Sequence, residues 1–420
     1  MGFEQALSGL TAASQNLDNI GNNIANASTV GFKDARAEFS DVYATSLWGA
    51  SATQIGIGTQ VAAIAAQFTQ GNITTTGNPL DVAINGTGFF RESNNGVISY
   101  SRDGQFALNS SGQIVNSTGN LLTGYPADPL TGKISSAPPQ PLSLSTQPIA
   151  PTATTSAILS LNLDSTATPP TTTTFSPTVS TSYNSSTSMT VYDSLGNSHT
   201  MSLYFVNTAA NKWNVYATID NALTNGVTGT TPNPIVTGMT FTSNGTFATD
   251  VKGAVGTGGP PATFTLTNGA TPLSIAVTLP AASTTQYGVP FSVSANTQDG
   301  YATGQLAGFS IDANGVISGR YTNGLTRAQG QIALANFTNT QGLIATGGNQ
   351  YLESSSSGPP VVGTPGSGSL GAVQSGALES STVDLTTELV NMITAQRVYQ
   401  ANAETVKTED QVQQTLMNLR

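Results

Sequence analysis

The stretch Phe3-Glu4-Gln5-Ala6-Leu7-Ser8-Gly9-Leu10-Thr11-Ala12-Ala13-Ser14-Gln15-Asn16-Leu17-Asp18-Asn19-Ile20-Gly21-Asn22-Asn23-Ile24 places Phe3, Leu7, Leu10, Leu17 and Ile24 on alternating steps of four and three, with Ser14 and Gly21 in the remaining seam positions. That spacing is one narrow apolar stripe on a helix. The far end of the chain repeats it with Leu385, Leu389, Met392, Gln396, Tyr399, Ala403 and Val406. After a phase slip Val412, Leu416 and Leu419 resume it. Isolated helices with so narrow a stripe are not stable in water. The first helix runs toward the body and the second leaves it, so a pair within one chain is antiparallel. A hairpin of two such helices still leaves apolar side chains in water, and copies of the same tails in other molecules would cover them. Spacing alone also allows a helical cap on the chain's own body, or a coiled-coil dimer.

Between the tails the alphabet changes. Met189 and Val191, then Met201, Leu203 and Phe205, then Trp213, Val215, Ala217 and Ile219 alternate as half-buried strands do, and Asp193-Ser194-Leu195-Gly196-Asn197 is turn chemistry. Short strands separated by Gly and Asn turns predict an antiparallel sandwich or barrel. An earlier unit opens at Asn78-Pro79-Leu80-Asp81-Val82-Ala83-Ile84, and its texture returns at Phe309 and Ile311. The expected fold is α+β: terminal helical tails pairing antiparallel, and two mainly antiparallel β domains, the outer inserted into the inner. The expected boundaries are a helical polymerisation core at 1–32 and 377–420, a connector at 33–75, an inner β domain at 76–155 and 299–376, and an outer β domain at 156–298. The Gly- and Ser-rich stretch 354–376 reads as a flexible return to the tails.

Composition narrows the function. Charged residues are 8% of the 420, against about 25% in an average soluble chain. Between Lys133 and Asp299 the ionised side chains are Asp164, Asp193, Lys212, Asp220, Asp250 and Lys252. A net charge of −10 offers too few cations to hold phosphates, which argues against nucleic acid. No apolar run approaches the ~20 residues of a membrane span, so no membrane insertion is expected. The first residues carry no basic n-region or apolar h-region, so export without a cleaved signal peptide is the expectation. With no cysteine, disulfides and thiolate chemistry are excluded. His199 reads as an exposed strand-end histidine. Gly56-Ile57-Gly58 and Gly256-Thr257-Gly258 lack the strand-to-helix setting of a phosphate loop, and Asp312-Ala313-Asn314-Gly315 lacks the ligands of a calcium loop. No catalytic, cofactor-binding or metal residue is assigned, and the chain reads as a non-enzyme.

The segment Gln15 to Lys33, with Asn22, Asn23, Asn26, Gly31 and Phe32, resembles the N-terminal signature of the bacterial flagellar rod and hook axial proteins. Leu378-Glu379-Ser380-Ser381-Thr382 through Met392-Ile393 to Asn402 resembles that family's C-terminal helix, with Thr382 where the family usually shows Asn. Asn78 to Phe90 is similar to its first body strand, and Val191 to His199 with Trp213 to the outer domain of its hook members. The resemblance implies a structural subunit of a curved, hollow helical tube, a universal joint carrying motor torque to the filament. The implied polymerisation residues are Leu7, Leu10, Leu17, Ile20, Ile24, Leu385, Leu389, Met392, Ile393, Tyr399, Val406, Leu416 and Leu419. The implied partners are the chain itself, the distal rod protein, the hook–filament junction protein, the hook assembly cap and the flagellar type III export apparatus, at an extracellular location. A straight distal-rod-type tube and a secreted β-rich adhesin with a coiled-coil stalk are the competing readings.

Overall fold

The computed structural model describes residues 2–42, 56–129, 131–223, 233–247, 251–252, 262–266 and 268–418. The chain is mostly strand, with one long helix at each end: α1, Gly2–Ala25, and α2, Leu385–Asn418. Asp384 caps α2, its Oδ1 accepting from the backbone N–H of Thr386 and Thr387 at 2.8 and 3.0 Å. The chain divides into two compact units. The first comprises Met1–Thr146, Gly308–Arg320 and Thr326–Arg420; the second comprises Gln147–Ala307 and Tyr321–Leu325.

In the first unit α1 is followed by a hairpin of β1, Ala35–Val42, and β2, Gly58–Ala66, which packs back on α1. The expected connector at 33–75 is therefore in large part a paired hairpin. Its strands are mostly half-exposed on both faces, so they lack the inside–outside alternation by which a strand announces itself. Next come β3, Ile73–Thr75, β4, Val82–Asn85, β5, Phe89–Asn94, and β6, Val97–Ser101. The main sheet runs through strands 316–321, 326–332, 121–126, β5, β6, 350–352 and 344–347, with antiparallel neighbours. Its core gathers Val82, Ile84, Phe90, Phe106, Ile114, Leu122, Ile317, Ile332 and Leu334.

The stretch 354–376, expected as a flexible return, is structured. Strand 361–363 pairs with 334–336, strand 372–375 pairs with β4, and Leu370 is buried. Strands of three or four residues built from Gly, Ser and Val carry too little pattern to be read. Likewise the start of the expected second helical segment is strand: Ala377–Glu379 pairs with β3 before α2 begins.

In the second unit two sheets enclose one apolar core. Strands 185–192, 198–209 and 212–219 pair antiparallel in order. The alternating residues Met189, Val191, Met201, Leu203, Phe205, Trp213, Val215, Ala217 and Ile219 are all buried there, against Leu159, Leu161, Leu163, Ile275 and Val277. The pairing in this unit is mainly antiparallel, with one exception. Strand 156–164 is antiparallel to 292–298 but parallel to 273–279 and 285–287. A strand buried on both faces accepts parallel neighbours, and residues 159–163 are buried without interruption.

Candidate functional site: the terminal helices and their base

The side chains that α1 buries are not those of its leucine seam. Ala6, Ala12, Ala13, Asn19, Ile20 and Asn23 are buried, whereas Leu10, Leu17 and Ile24 are half-buried and Phe3 and Leu7 are exposed, Leu7 at 45%. Small residues let the hairpin and α2 approach closely. A Cβ at Gly9 would stand 3.0 Å from the Asn402 side chain, and one at Gly58, whose φ is +139°, would overlap Ser8. Asn19 and Asn23, one turn apart, both donate through Nδ2 to the Ala35 carbonyl, at 2.7 and 2.8 Å, and Asn23 Oδ1 accepts the Ala35 N–H at 3.0 Å. This clamp fixes the hairpin on the helix. Beside it, Asn26 Nδ2 donates to Asn22 Oδ1 at 2.8 Å in an exposed contact. Between α1, α2 and the hairpin lies a groove of about 840 Å³, lined by Ala12, Ala13, Ile20, Thr394, Ala395 and Val398 among others.

α2 is the more exposed helix. Ala395 is its one buried residue among those described. Leu385, Leu389, Ile393 and Tyr399 are exposed, Leu389 at 50%, together with Val390, Val398, Val412 and Met417. Met392 and Val406 are half-buried. Leu419 and the side chain of Leu416 lie outside the described residues. Fully burying a Leu-sized side chain contributes about 1.5–3 kcal/mol, so this face carries a large unrealised burial energy.

Both helices meet the body at one ionic knot. Gly31 sits at φ +70°, its N–H donating to the Glu379 carbonyl at 2.8 Å, and a Cβ there would come within 2.6 Å of the Asp103 nitrogen. Glu379 is fully buried. Its Oε1 accepts from Lys33 Nζ at 2.6 Å and from the Gly71 N–H at 2.7 Å, and its Oε2 accepts from Arg102 Nη1 at 3.1 Å. Burial pulls both Lys33 and Arg102 below their ordinary pKa values, and Glu379 opposes it. Lys33 also donates to the Thr69 carbonyl, and Arg102 Nη2 to the Gly86 carbonyl at 2.9 Å. Phe32 is half-buried, its carbonyl accepting the Thr382 N–H at 3.2 Å. The Thr382 hydroxyl bridges Asp34, donating to Oδ1 at 2.7 Å and accepting from its N–H at 2.9 Å. Arg102 and the joining of positions 33, 102 and 379 carried no local signal in the sequence.

Four family models match in chain order: "Flagella basal body rod protein" at 3–33, "Flagellar hook protein FlgE/F/G D1 domain" at 83–160, "Flagellar basal body protein FlaE D2 domain" at 162–301, and "Flagellar basal body rod FlgEFG protein C-terminal" at 374–419. The flagellar hook protein FlgE of Escherichia coli K12 is 44% identical over the full length of both chains. The chain belongs to the flagellar hook protein family. Its hook relatives include that of Salmonella typhimurium, 43% identical over the full length of both chains, and that of Borreliella burgdorferi, 32% identical over 99% of this chain and 98% of the other. The crystal structure of Helicobacter pylori hook protein FlgE2 shares the fold, with a TM-score of 0.51 at 15% identity, covering 73% of this chain and 100% of that one. As a hook protein the chain is a structural component of the flagellum and not an enzyme.

One feature differs from its sequence reading. His199 is not an exposed strand-end residue. Its side chain is 12% exposed, with Nδ1 2.6 Å from Asp220 Oδ2 and Nε2 3.3 Å from Asp193 Oδ2. Asp193 reaches it from the turn of the same hairpin, and register across strands 198–209 and 212–219 brings Asp220 to the other ring nitrogen, which no local spacing reveals. Asp312 to Gly315 is a side-chain-capped turn, Asp312 Oδ1 accepting from Asn314 and Val316 N–H at 2.9 Å each. Among the described residues no group of three His, Cys, Asp or Glu side chains could hold a metal ion, and no helix is long and apolar enough to cross a membrane.

Proposed function

We propose that this chain polymerises through its helices into the curved, hollow tube of the hook, and that the tube works as a universal joint passing motor torque to the filament. The observation that carries this reading is the exposed apolar face of α2, with Leu385, Leu389, Ile393 and Tyr399 outward on a 34-residue helix. Copies of α1 and α2 from neighbouring subunits complete the burial. Within one chain the helices pair antiparallel. The nearness of Gly9 to Asn402 at one end, and of Gly31 to Glu379 at the other, supports that direction. The second unit is the outer domain, inserted into the inner one, and its hydroxyl- and amide-rich surface exchanges polar contacts cheaply as the tube bends. The partners are the distal rod protein below, the hook–filament junction protein above, the assembly cap during growth and the type III export apparatus. The site is extracellular.

Leu389→Asp tests it. The purified wild type, brought to assemble in concentrated salt, forms curved hollow tubes by electron microscopy. The variant forms none, because a carboxylate buried without a partner is expensive, while its β-rich circular dichroism is unchanged. Normal tubes from Leu389→Asp refute the reading.

A further inference from the structure

Glu92, on β5, is completely buried in the first unit. Its Oε2 receives three amide groups: Asn116 Nδ2 at 2.6 Å, Gln350 Nε2 at 2.8 Å and Asn120 Nδ2 at 3.5 Å. The orientation of Asn116 is fixed, because its Oδ1 already accepts from the Thr118 N–H, the Thr118 hydroxyl and the Asn120 N–H at 2.8–3.0 Å. The other carboxylate oxygen, Oε1, is buried with no hydrogen-bond donor, and so is Oε1 of Gln350. Two buried acceptors on neighbouring side chains, each without a donor, are an expensive arrangement. A carboxylic acid facing a primary amide removes both deficits at once: the amide N–H bonds one acid oxygen and the acid O–H bonds the amide oxygen.

We propose that Glu92 is protonated on Oε1 in the folded chain and shares that proton with Gln350, and that its loss loosens the seat of α1 and so weakens assembly. The surroundings act in the same direction. Burial pushes the Glu92 carboxyl from its ordinary 4.5 up to about 7, and the Asp103 charge adds to the rise, while the Gln350, Asn120 and Asn116 amides oppose it. Ser99 on β6, Asn116, Asn120 and Leu122 around strands 114–116 and 121–126, and Gln350 face it without charge. The link to the helices is short. Gln350 pairs with Ser101 beside Arg102, and its neighbour Asn349, held at φ +58°, donates Nδ2 to the Val30 carbonyl at 2.8 Å, one residue before Gly31. A charge on Glu92 presses on strand 350–352, and Asn349 is in the turn that leads into it. The effect on assembly rests on the polymer reading above; the proton on Glu92 does not.

For a carboxyl raised on folding, the stabilising contribution is complete below pH 4.5 and is lost as pH rises through about 7, a change of roughly 300-fold in the folding equilibrium. The full-length chain and Glu92→Gln, whose amide stands in for the neutral acid, are compared between pH 5.5 and 8.5. Infrared difference spectra of wild type against variant should show a protonated carboxyl stretch at pH 5.5 that disappears by pH 8.5. The critical concentration for assembly should rise over that range in the wild type and stay flat in Glu92→Gln. Absence of the band at pH 5.5, or equal pH profiles for the two chains, overturns the proposal. If neither chain assembles at any pH, the polymer reading fails and the band still decides the protonation of Glu92. Should Glu92→Gln fail to fold, Gln350→Ala takes its place: the wild-type band moves to the higher frequency of an unbonded acid, and an unmoved band refutes the shared proton.

Discussion

Replacing Glu379 by Gln separates charge from shape at the base of the helices. The glutamine fills the same space and keeps one carbonyl acceptor, but it places an N–H₂ against donors that now have nothing to give to. Two buried cations, Lys33 at 2.6 Å and Arg102 at 3.1 Å, lose their counter-charge together. Breaking a buried ion pair from one side costs about 3–5 kcal/mol, a large share of the roughly 5–15 kcal/mol by which a domain is stable. With a urea m-value of about 3 kcal/mol per M, the unfolding midpoint should fall by about 1 M or more. The pair Lys407–Glu404 on α2 is the internal control. At 3.0 Å it is as short as many buried pairs, yet its side chains are 71% and 72% exposed, so Glu404→Gln should change stability by no more than about 0.5 kcal/mol. Urea titrations of the full chain, followed by circular dichroism, measure both. Equal losses for the two variants would show that distance and not burial sets the strength of these contacts, and would refute the reasoning.

Gly31→Ala should destabilise the first unit by more than about 1 kcal/mol, since φ is +70° and the added Cβ meets the Arg102–Asp103 backbone; an unchanged melting temperature would contradict this. Thr382→Val, which removes the hydroxyl bridging Asp34 but keeps the side-chain shape, should lose about 1–3 kcal/mol by the same urea assay. In the second unit, His199 works against its own burial, but hydrogen bonds to Asp220 and Asp193 raise its pKa overall. Its contribution is therefore complete below the ordinary value of 6.5 and is lost as pH rises through the higher folded value. As the one histidine of the chain, it can be titrated directly by nitrogen NMR. His199→Gln should flatten the dependence of second-unit stability on pH above neutrality, and an unchanged slope would exclude the ion pairs as its cause.

The core of the second unit was legible because Met189, Val191, Met201, Leu203, Phe205, Trp213 and Val215 each lie on one face of a strand, and period-two alternation is a local signal. The heptads of the tails marked both helices for the same reason. The face that α1 covers at home was not legible. Ala6, Ala12 and Ala13 are small residues buried on a helix that both the hairpin and α2 pack against, whereas a periodicity search weights size and greasiness and finds Leu7, Leu10 and Leu17. The knot of Lys33, Arg102 and Glu379 was illegible for a different reason. Its members stand 69 and 277 positions apart, and only the return of the chain through strand 377–379 brings them together. His199 shows the same limit, since Asp220 arrives through strand register.

The Gly31 N–H and the Glu379 carbonyl are 2.8 Å apart, so both tails depart the body through a single mooring. A pull on either helix therefore reaches the body at the same place, through that hydrogen bond and the buried pairs of Glu379 with Lys33 and Arg102 beside it.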